Sequence, residues 1–438
     1  MKRNLLILLI AAMFLSCSGM GRTVFAGESD IMINLLVKKG ILTQEEAAQV
    51  LESIKDELVR EKNAVKEVAA ETAKQVAGKE IKAGAVDIPK WVKKLKLKGD
   101  LRLRYQYQET KNDNAASRDR ARMRFRIGAE AQVNDQWLAG FGLATGGTDP
   151  RSTNQTFTDT FETPDVRMDY AFTKYTPSKY ATIIGGKFKN PFWGTKDLLW
   201  DGDIRPEGVV VSLDHKMSPK LGVFANLGYL ILEEFGATND DPYVWVLQPG
   251  IKAGFGDAYF KVAPSYYCFS HLKGNDLDEH GANTNSTDAA DNLLYDYDSI
   301  GLDAELGFNL KNGPIPFVAL FGQYISALDS DKDLDKDGND DDTGCLVGLK
   351  FGHKKTKKFG QWQAKYNYRR LERDAWPDFL PDSDFYGGAT DAKGHEFEFK
   401  LGLAKNVSLG LDYYKAKRIR TNTNRDQDLV QVDMLVKW

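Results

Sequence analysis

Cysteine is scarce in this chain, with three among 438 residues, too few for the disulfide framework on which small secreted scaffolds depend. Long apolar runs are missing as well. The longest spans Leu5 to Leu15 and mean hydropathy is -0.44, which excludes a bundle of membrane helices, each needing about 20 apolar residues. A membrane barrel, whose strands alternate, is not excluded. The 39 glycines follow no triplet period, and 8 Trp, 18 Tyr and 23 Phe are too many for a chain that buries nothing, so collagen and disorder fall away. The five histidines, His215, His271, His280, His353 and His395, are scattered without ligand spacing. G-x-S-x-G, H-E-x-x-H, Walker and G-x-G-x-x-G signatures are absent, so neither catalysis nor an organic cofactor is expected. A formal net charge of -3 argues against nucleic acid as a partner.

The amino end carries an address. Lys2 and Arg3, the apolar stretch LLILLIAAMFL and a small-residue site ending Val24-Phe25-Ala26 read as a secretory signal peptide over 1–26. Its removal takes away Lys2, Arg3 and Arg22 and no acid, so the mature chain is more acidic. Cys17, in FLSC, offers a second reading as an acylation site. Cleavage after Ala26 leaves Cys268 and Cys345, both on apolar faces of predicted strands, where small buried hydrophobes are expected in preference to a bridge.

Residues 27–90 form a helical segment and linker. Thr43 and Glu46 make a capping box, and Ala47, Val50, Leu51, Ile54, Leu58, Val65 and Val68 follow at helical spacing. The pattern is roughly heptad. Two outcomes stay open, a short coiled coil that builds a homo-oligomer, such as a trimer, and a single amphipathic helix.

From Trp91 onward the period changes from 3.6 to 2. Over 95–107 every odd position is apolar or glycine and every even one polar; over 120–133 Ala121, Met123, Phe125 and Ile127 alternate with Arg120, Arg122, Arg124 and Arg126. Residues 166–173, 298–310, 361–369, 395–403 and 429–438 repeat the pattern. Several runs exceed ten residues, long for a soluble sheet and suited to a tilted bilayer crossing. Strands are predicted near 94–108, 119–133, 136–146, 165–176, 179–189, 206–214, 219–232, 243–254, 257–270, 297–310, 315–327, 343–353, 359–371, 394–404, 408–418 and 428–438. Short and long joins alternate between them, as in an outer-membrane barrel with turns on one side and loops on the other. The fold class is therefore all-β, a transmembrane antiparallel β-barrel of about 16 strands over 91–438, preceded by a helical segment.

Magnitude decides which face meets lipid. An arginine on the lipid side at mid-bilayer costs roughly 2–4 kcal/mol, so the arginine face points inward and the apolar face makes the outer wall. Tyr105, Tyr107, Trp137, Tyr175, Tyr180, Trp362 and Trp438 then fall near strand ends, as an aromatic girdle requires. The expected pore-lining ladder is Arg120, Arg122, Arg124 and Arg126, with Lys98, Arg102 and Arg104 on the strand beside it, and Arg167 further on. In a narrow wet pore such a row concentrates anions; alternatively it pairs with Asp100, Glu130 and Asp169 and only holds the wall.

The chain stops on Trp438, preceded at every second position by Val436, Met434, Val432 and Val430. A terminal aromatic on an alternating strand resembles the signal by which outer-membrane barrels are recognised for assembly. The stretches GGKFKNPFW at 185–193 and LLWDGDIRPEG at 198–208 resemble the putative-porin families of Gram-negative outer membranes and, more distantly, the phosphate-selective porins O and P. LLVKKGILTQEEA is also similar to the amino-terminal part of such porins. The resemblance implies a passive outer-membrane channel for small hydrophilic solutes. The ladder adds a weak lean to anions. Phosphate specificity is not carried over, because no dedicated lysine and arginine pattern matches residue by residue. The competing class is a non-conducting barrel serving adhesion or anchoring, with a plugged lumen.

In porins the third long loop commonly folds inward. Here it spans 190–205 and offers Asp197, Asp201 and Asp203 with bulky Phe192, Trp193 and Trp200. A constriction whose acids face the arginine ladder is expected, against the alternative of a surface loop. Asp333, Asp335 and Asp337, followed by Gly338 and Asp341, have the oxygen-ligand spacing of a calcium loop. Position twelve is Gly344 instead of glutamate, and a solvated acidic loop competes with that reading.

Overall fold

A computed structural model describes Glu45 and residues 95–111, 116–236, 240–277, 281–310, 313–329, 341–420 and 425–438. The chain divides into Met1–Ile88 and Pro89–Trp438. The signal-peptide, acylation, coiled-coil and linker readings fall outside the described residues, apart from Glu45, which is helical.

The strands are β1 (Lys96–Thr110), β2 (Arg118–Gln132), β3 (Trp137–Thr145), β4 (Gln155–Thr156), β5 (Val166–Ser178), β6 (Ala181–Lys187), β7 (Glu207–Lys216), β8 (Leu221–Ile231) and β9 (Tyr243–Phe255), continuing as β10 (Ala258–Ser270), β11 (Ser299–Asn309), β12 (Phe317–Ala327), β13 (Thr343–Gly352), β14 (Trp362–Leu371), β15 (Ala392–Ala404), β16 (Val407–Arg418) and β17 (Gln427–Lys437). Each strand except β4 has its predicted counterpart, with ends moved by a few residues at most. The two-residue β4 pairs with β2 at Arg122 and Met123 and is too short to show a period. The other strands pair antiparallel with their neighbours, and β1 pairs with both β2 and β17, closing the barrel. Closure leaves no strand edge with unpaired backbone groups in hydrocarbon.

The last residue seals that closure. Trp438 and Gly99 exchange two backbone hydrogen bonds, and a Cβ at position 99 would lie 2.4 Å from the Trp438 indole, so only glycine lets the ring lie this close. At the short-turn end, Asn134 accepts hydrogen bonds from the N–H groups of Gln136 and Trp137, a side-chain-stabilised turn of the kind Asn favours.

Burial is inverted relative to a soluble protein. Val347 on the outer face is 54% exposed, whereas Gln248 and Gln431 on the inner face are 0% exposed. Tyr105, Trp137, Tyr180 and Trp438 stand exposed on the outside, and Trp137 stacks on Tyr175. Cys268 and Cys345 are free thiols. Cys345 is exposed on the lipid-facing side instead of buried, because the apolar faces of these strands point outward.

Apolar residues inside the barrel have a separate cause. Three long joins, 188–206, 271–298 and 372–391, pack Phe188, Leu198, Leu199, Leu272, Tyr297 and Trp376 against inward Val210, Val244, Val246 and Phe321 in one buried cluster. The Trp376 indole N–H donates to the Leu199 carbonyl at 2.7 Å. This packing explains why the inner face of β9 is apolar toward the long-loop end.

Candidate functional site

Register determines what the arginines meet. Pairing of β1 with β2 sets Arg102 opposite Arg124 and Arg104 opposite Arg122, with Asp100 opposite Arg126. Like charges directly opposite repel, so carboxylates arrive from β1, β17 and the loops. Asp100 accepts from Arg124 at 2.8 Å and from Arg126 at 2.9 Å. Asp433 of β17 accepts a two-pronged bond from Arg104 at 2.7 and 2.8 Å, and Asp384 of the 372–391 loop accepts a third from the same guanidinium at 3.1 Å. Arg126 also donates to Asp203 of the 188–206 loop at 3.1 Å. Such bidentate, charge-assisted bonds are the strong ones.

The remaining predicted lining residues do different things. Arg102 bonds Asn154, with Asp433 3.7 Å away. Arg120 donates to Gln108, and Arg122 to Gln106, Ser152 and the Asn154 carbonyl. Arg167 binds the carbonyls of Gly147, Asp149 and Ser152, tying down the 146–165 join apart from the ladder. Lys98 pairs with Glu130 at 2.9 Å at the exposed end of the wall, while Asp169 pairs with Arg205.

The 188–206 loop runs through the lumen and is fastened at several points of its circumference. Trp193 exchanges backbone bonds with the Gln248 side chain of β9, both 2.8 Å. Thr195 donates to Asp303 of β11. Lys196 reaches Glu396 at 2.9 Å and Glu398 at 2.8 Å on β15, Asp197 accepts from Arg369 of β14 at 3.0 Å, and Asp203 accepts from Thr153. Phe192 lies over Gly228 of β8, and Trp200 meets Trp376 edge-on. The loop also binds its neighbour, since Asp201 accepts the Ser383 N–H and its own N–H donates to Leu380.

Two aspartates of this loop are driven apart electrostatically. Burial and the adjacent Asp203 charge push the Asp201 carboxyl up to about 7. Burial also acts to raise Asp203, but Arg124, Arg126 and Arg102 outweigh it and hold that carboxyl well below the usual range.

Asp197, Asp382 and Glu396 bring carboxylate oxygens within 4.8 Å of one another. The Arg369 guanidinium bonds all three, and Lys196 adds a second cation, so the cluster is an ion-paired knot joining the two inward loops to the wall. Of the calcium-spaced residues, Asp333, Asp335 and Asp337 lie outside the described residues; Asp341 pairs with Arg420. Sequence reasoning passed over Glu396, Glu398 and Asp433, although parity along β15 and β17 carried that signal. Asp382 and Asp384 sit in an irregular loop and left none.

The chain matches the model of a family described as putative porin over residues 56–118, 110–296 and 286–438. Among solved structures, OprB of Pseudomonas putida at high pH is 10% identical with a TM-score of 0.50, covering 80% of this chain and 96% of its own. OmpF of Salmonella typhi in complex with daunomycin is 14% identical with a TM-score of 0.45, covering 78% and 97%. A loop L8 deletion mutant of OmpT from Vibrio cholerae is 12% identical with a TM-score of 0.44, covering 78% and 99%. No curated protein matches. At these identities the structural likeness speaks for the fold alone, and the family match, spanning most of the sequence and all of the barrel, carries the assignment: the chain belongs to the putative porin family, as an outer-membrane β-barrel channel of a Gram-negative bacterium.

Proposed function

We propose that this porin passes small hydrophilic solutes by passive diffusion, with a weak preference for anions. The observation that carries the preference is the pair Arg120 and Arg122, whose bonds go to neutral groups while their neighbours on the wall are matched by carboxylates. Uncompensated positive charge in a narrow aqueous passage raises the local anion concentration and lowers that of cations. The 188–206 loop supplies the size limit, since it narrows the lumen and is fastened around its circumference. The chemistry is selection by size and field, without turnover.

The apolar packing of three joins inside the barrel favours a second reading, a closed barrel for adhesion or anchoring. Planar-bilayer recording separates the two. Stepwise conductance supports the channel, and its absence from correctly folded protein supports the closed barrel. In a salt gradient the reversal potential is expected on the anion-selective side and to move toward neutrality in Arg120→Gln/Arg122→Gln. An unmoved value rejects the role of these arginines.

A further inference from the structure

A second cationic zone lies at the opposite end of the lumen, where a cavity of about 790 Å³ opens between Trp193 of the inward loop and the 217–220 turn. Lys216, Lys220, Lys252 and Lys261 line it, with Asp214 as the one carboxylate. Lys252 and Lys261 face each other directly across β9 and β10, and among the described residues neither has a salt-bridge partner. Asp214 sets one charge against four lysines, and two further acids near Lys261 are engaged elsewhere. Glu305 is held by Lys350 at 3.0 Å and by the Tyr259 hydroxyl, and Asp303 by Thr195 and Gln323. Two ammonium groups set opposite each other cost the sheet stability, which points to a ligand as their counter-charge.

The same cavity has flat apolar walls. The Lys261 ammonium sits 4.1 Å from the Trp193 ring centroid and 4.7 Å from that of Phe224. Phe224 is pinned by Gly250, where a Cβ would lie 2.1 Å from the ring; Trp193 is fixed through both backbone bonds to Gln248. Tyr259 adds a third ring. Cations beside rigid aromatic faces, in a volume typical of small-molecule sites, suit one chemistry. The charged group of the ligand meets the lysines and its planar body lies against the rings.

We propose that this cavity is a binding site for small organic carboxylates that carry a ring, with the carboxylate on Lys252 and Lys261 and the ring against Trp193 and Phe224. The site rests on the reading of the protein as an anion-leaning channel and names the solute class it favours. Half-exposed lysines bind weakly enough to release the solute, as conduction requires.

The test uses the full-length protein and benzoate, with acetate and inorganic phosphate as comparisons. Saturation-transfer NMR in detergent reads binding, and the bilayer reads current. Saturable benzoate binding is expected, with block of the KCl current over the same concentrations, neither matched by acetate nor phosphate. Lys252→Gln/Lys261→Gln is expected to weaken binding about tenfold and Trp193→Ala several-fold; Lys252→Gln alone serves as the milder variant if the double one folds poorly. Equal binding by wild type and the lysine variants, or phosphate or acetate binding as well as benzoate, overturns the site. Benzoate binding to a barrel that is silent in the bilayer supports the site and defeats the channel reading.

Discussion

The arginine wall of β1 and β2 and the lysine cavity between β7 and β10 are both positive on paper, yet carboxylates match Arg102, Arg104, Arg124 and Arg126 of the wall but not Arg120 and Arg122, whereas the facing lysines of the cavity have no salt-bridge partner among the described residues. On the wall, Asp100, Asp203, Asp384 and Asp433 each engage an arginine. Around the cavity, Lys252 and Lys261 face each other, Glu305 and Asp303 bond to other groups, and Asp214 is the one carboxylate in the lining. Buried guanidiniums need such partners, because stripping a charge of water costs several kcal/mol that only pairing offsets. Half-exposed lysines stay partly hydrated, so they can stand open until a ligand brings their counter-charge. A run of like charge in a strand therefore says little about the field it makes; partners drawn from distant strands and loops decide that.

Removing a paired arginine should have the largest effect. Arg104→Ala leaves Asp433 and Asp384 facing an empty, buried site, with an expected loss of about 3–5 kcal/mol in urea unfolding of the folded barrel. A loss below about 1 kcal/mol would break the contrast between the two regions. As an outer-face reference, Val347→Arg should cost roughly 2–4 kcal/mol in vesicles, because it puts a charge in lipid where the inner face accepts one.

Burial of the Asp201 carboxyl beside the charged Asp203 should make stability sensitive to pH. The folded Asp201 pKa of about 7 exceeds the unfolded value of about 4, so the folded state favours the protonated carboxyl. That contribution is fully present below about pH 4 and is lost as pH rises through about 7. The thermal midpoint of wild type should fall more steeply between pH 5 and 8 than that of Asp201→Asn, and parallel curves would remove Asp201 as the cause. The smallest effect on stability belongs to Lys252→Gln, expected within about 1 kcal/mol of wild type and favourable in sign. Its reversal potential should nevertheless move toward neutrality in a salt gradient, and an unfolding midpoint lowered as far as that of Arg104→Ala would show that the lysine holds the wall.

Much of the barrel was legible because one physical demand repeats along it. Each crossing strand must show lipid an apolar face, so parity alone assigned Arg122 inward and Met123 outward, and every long strand was found near its place. β4 escaped because two residues carry no period. An inward course for 190–205 with its acids facing the arginines was expected from resemblance, and Asp203 meets Arg126, but the loop's other attachments carried no signal. Lys196 meeting Glu396 and Glu398, and Asp201 meeting Ser383, join residues roughly two hundred positions apart. Lys252 and Lys261 drew no attention either, since each is an isolated basic residue until the β9–β10 register sets them together.

By itself, then, the sequence determined which side of the wall each strand residue occupies, because the bilayer imposes a local penalty that acts on every second residue independently of the rest of the fold. Which of the inward charges are matched and which stay open was left to the tertiary structure. Charge pairing depends on distances of a few ångströms between strands and loops far apart in the chain, and no local pattern encodes those distances.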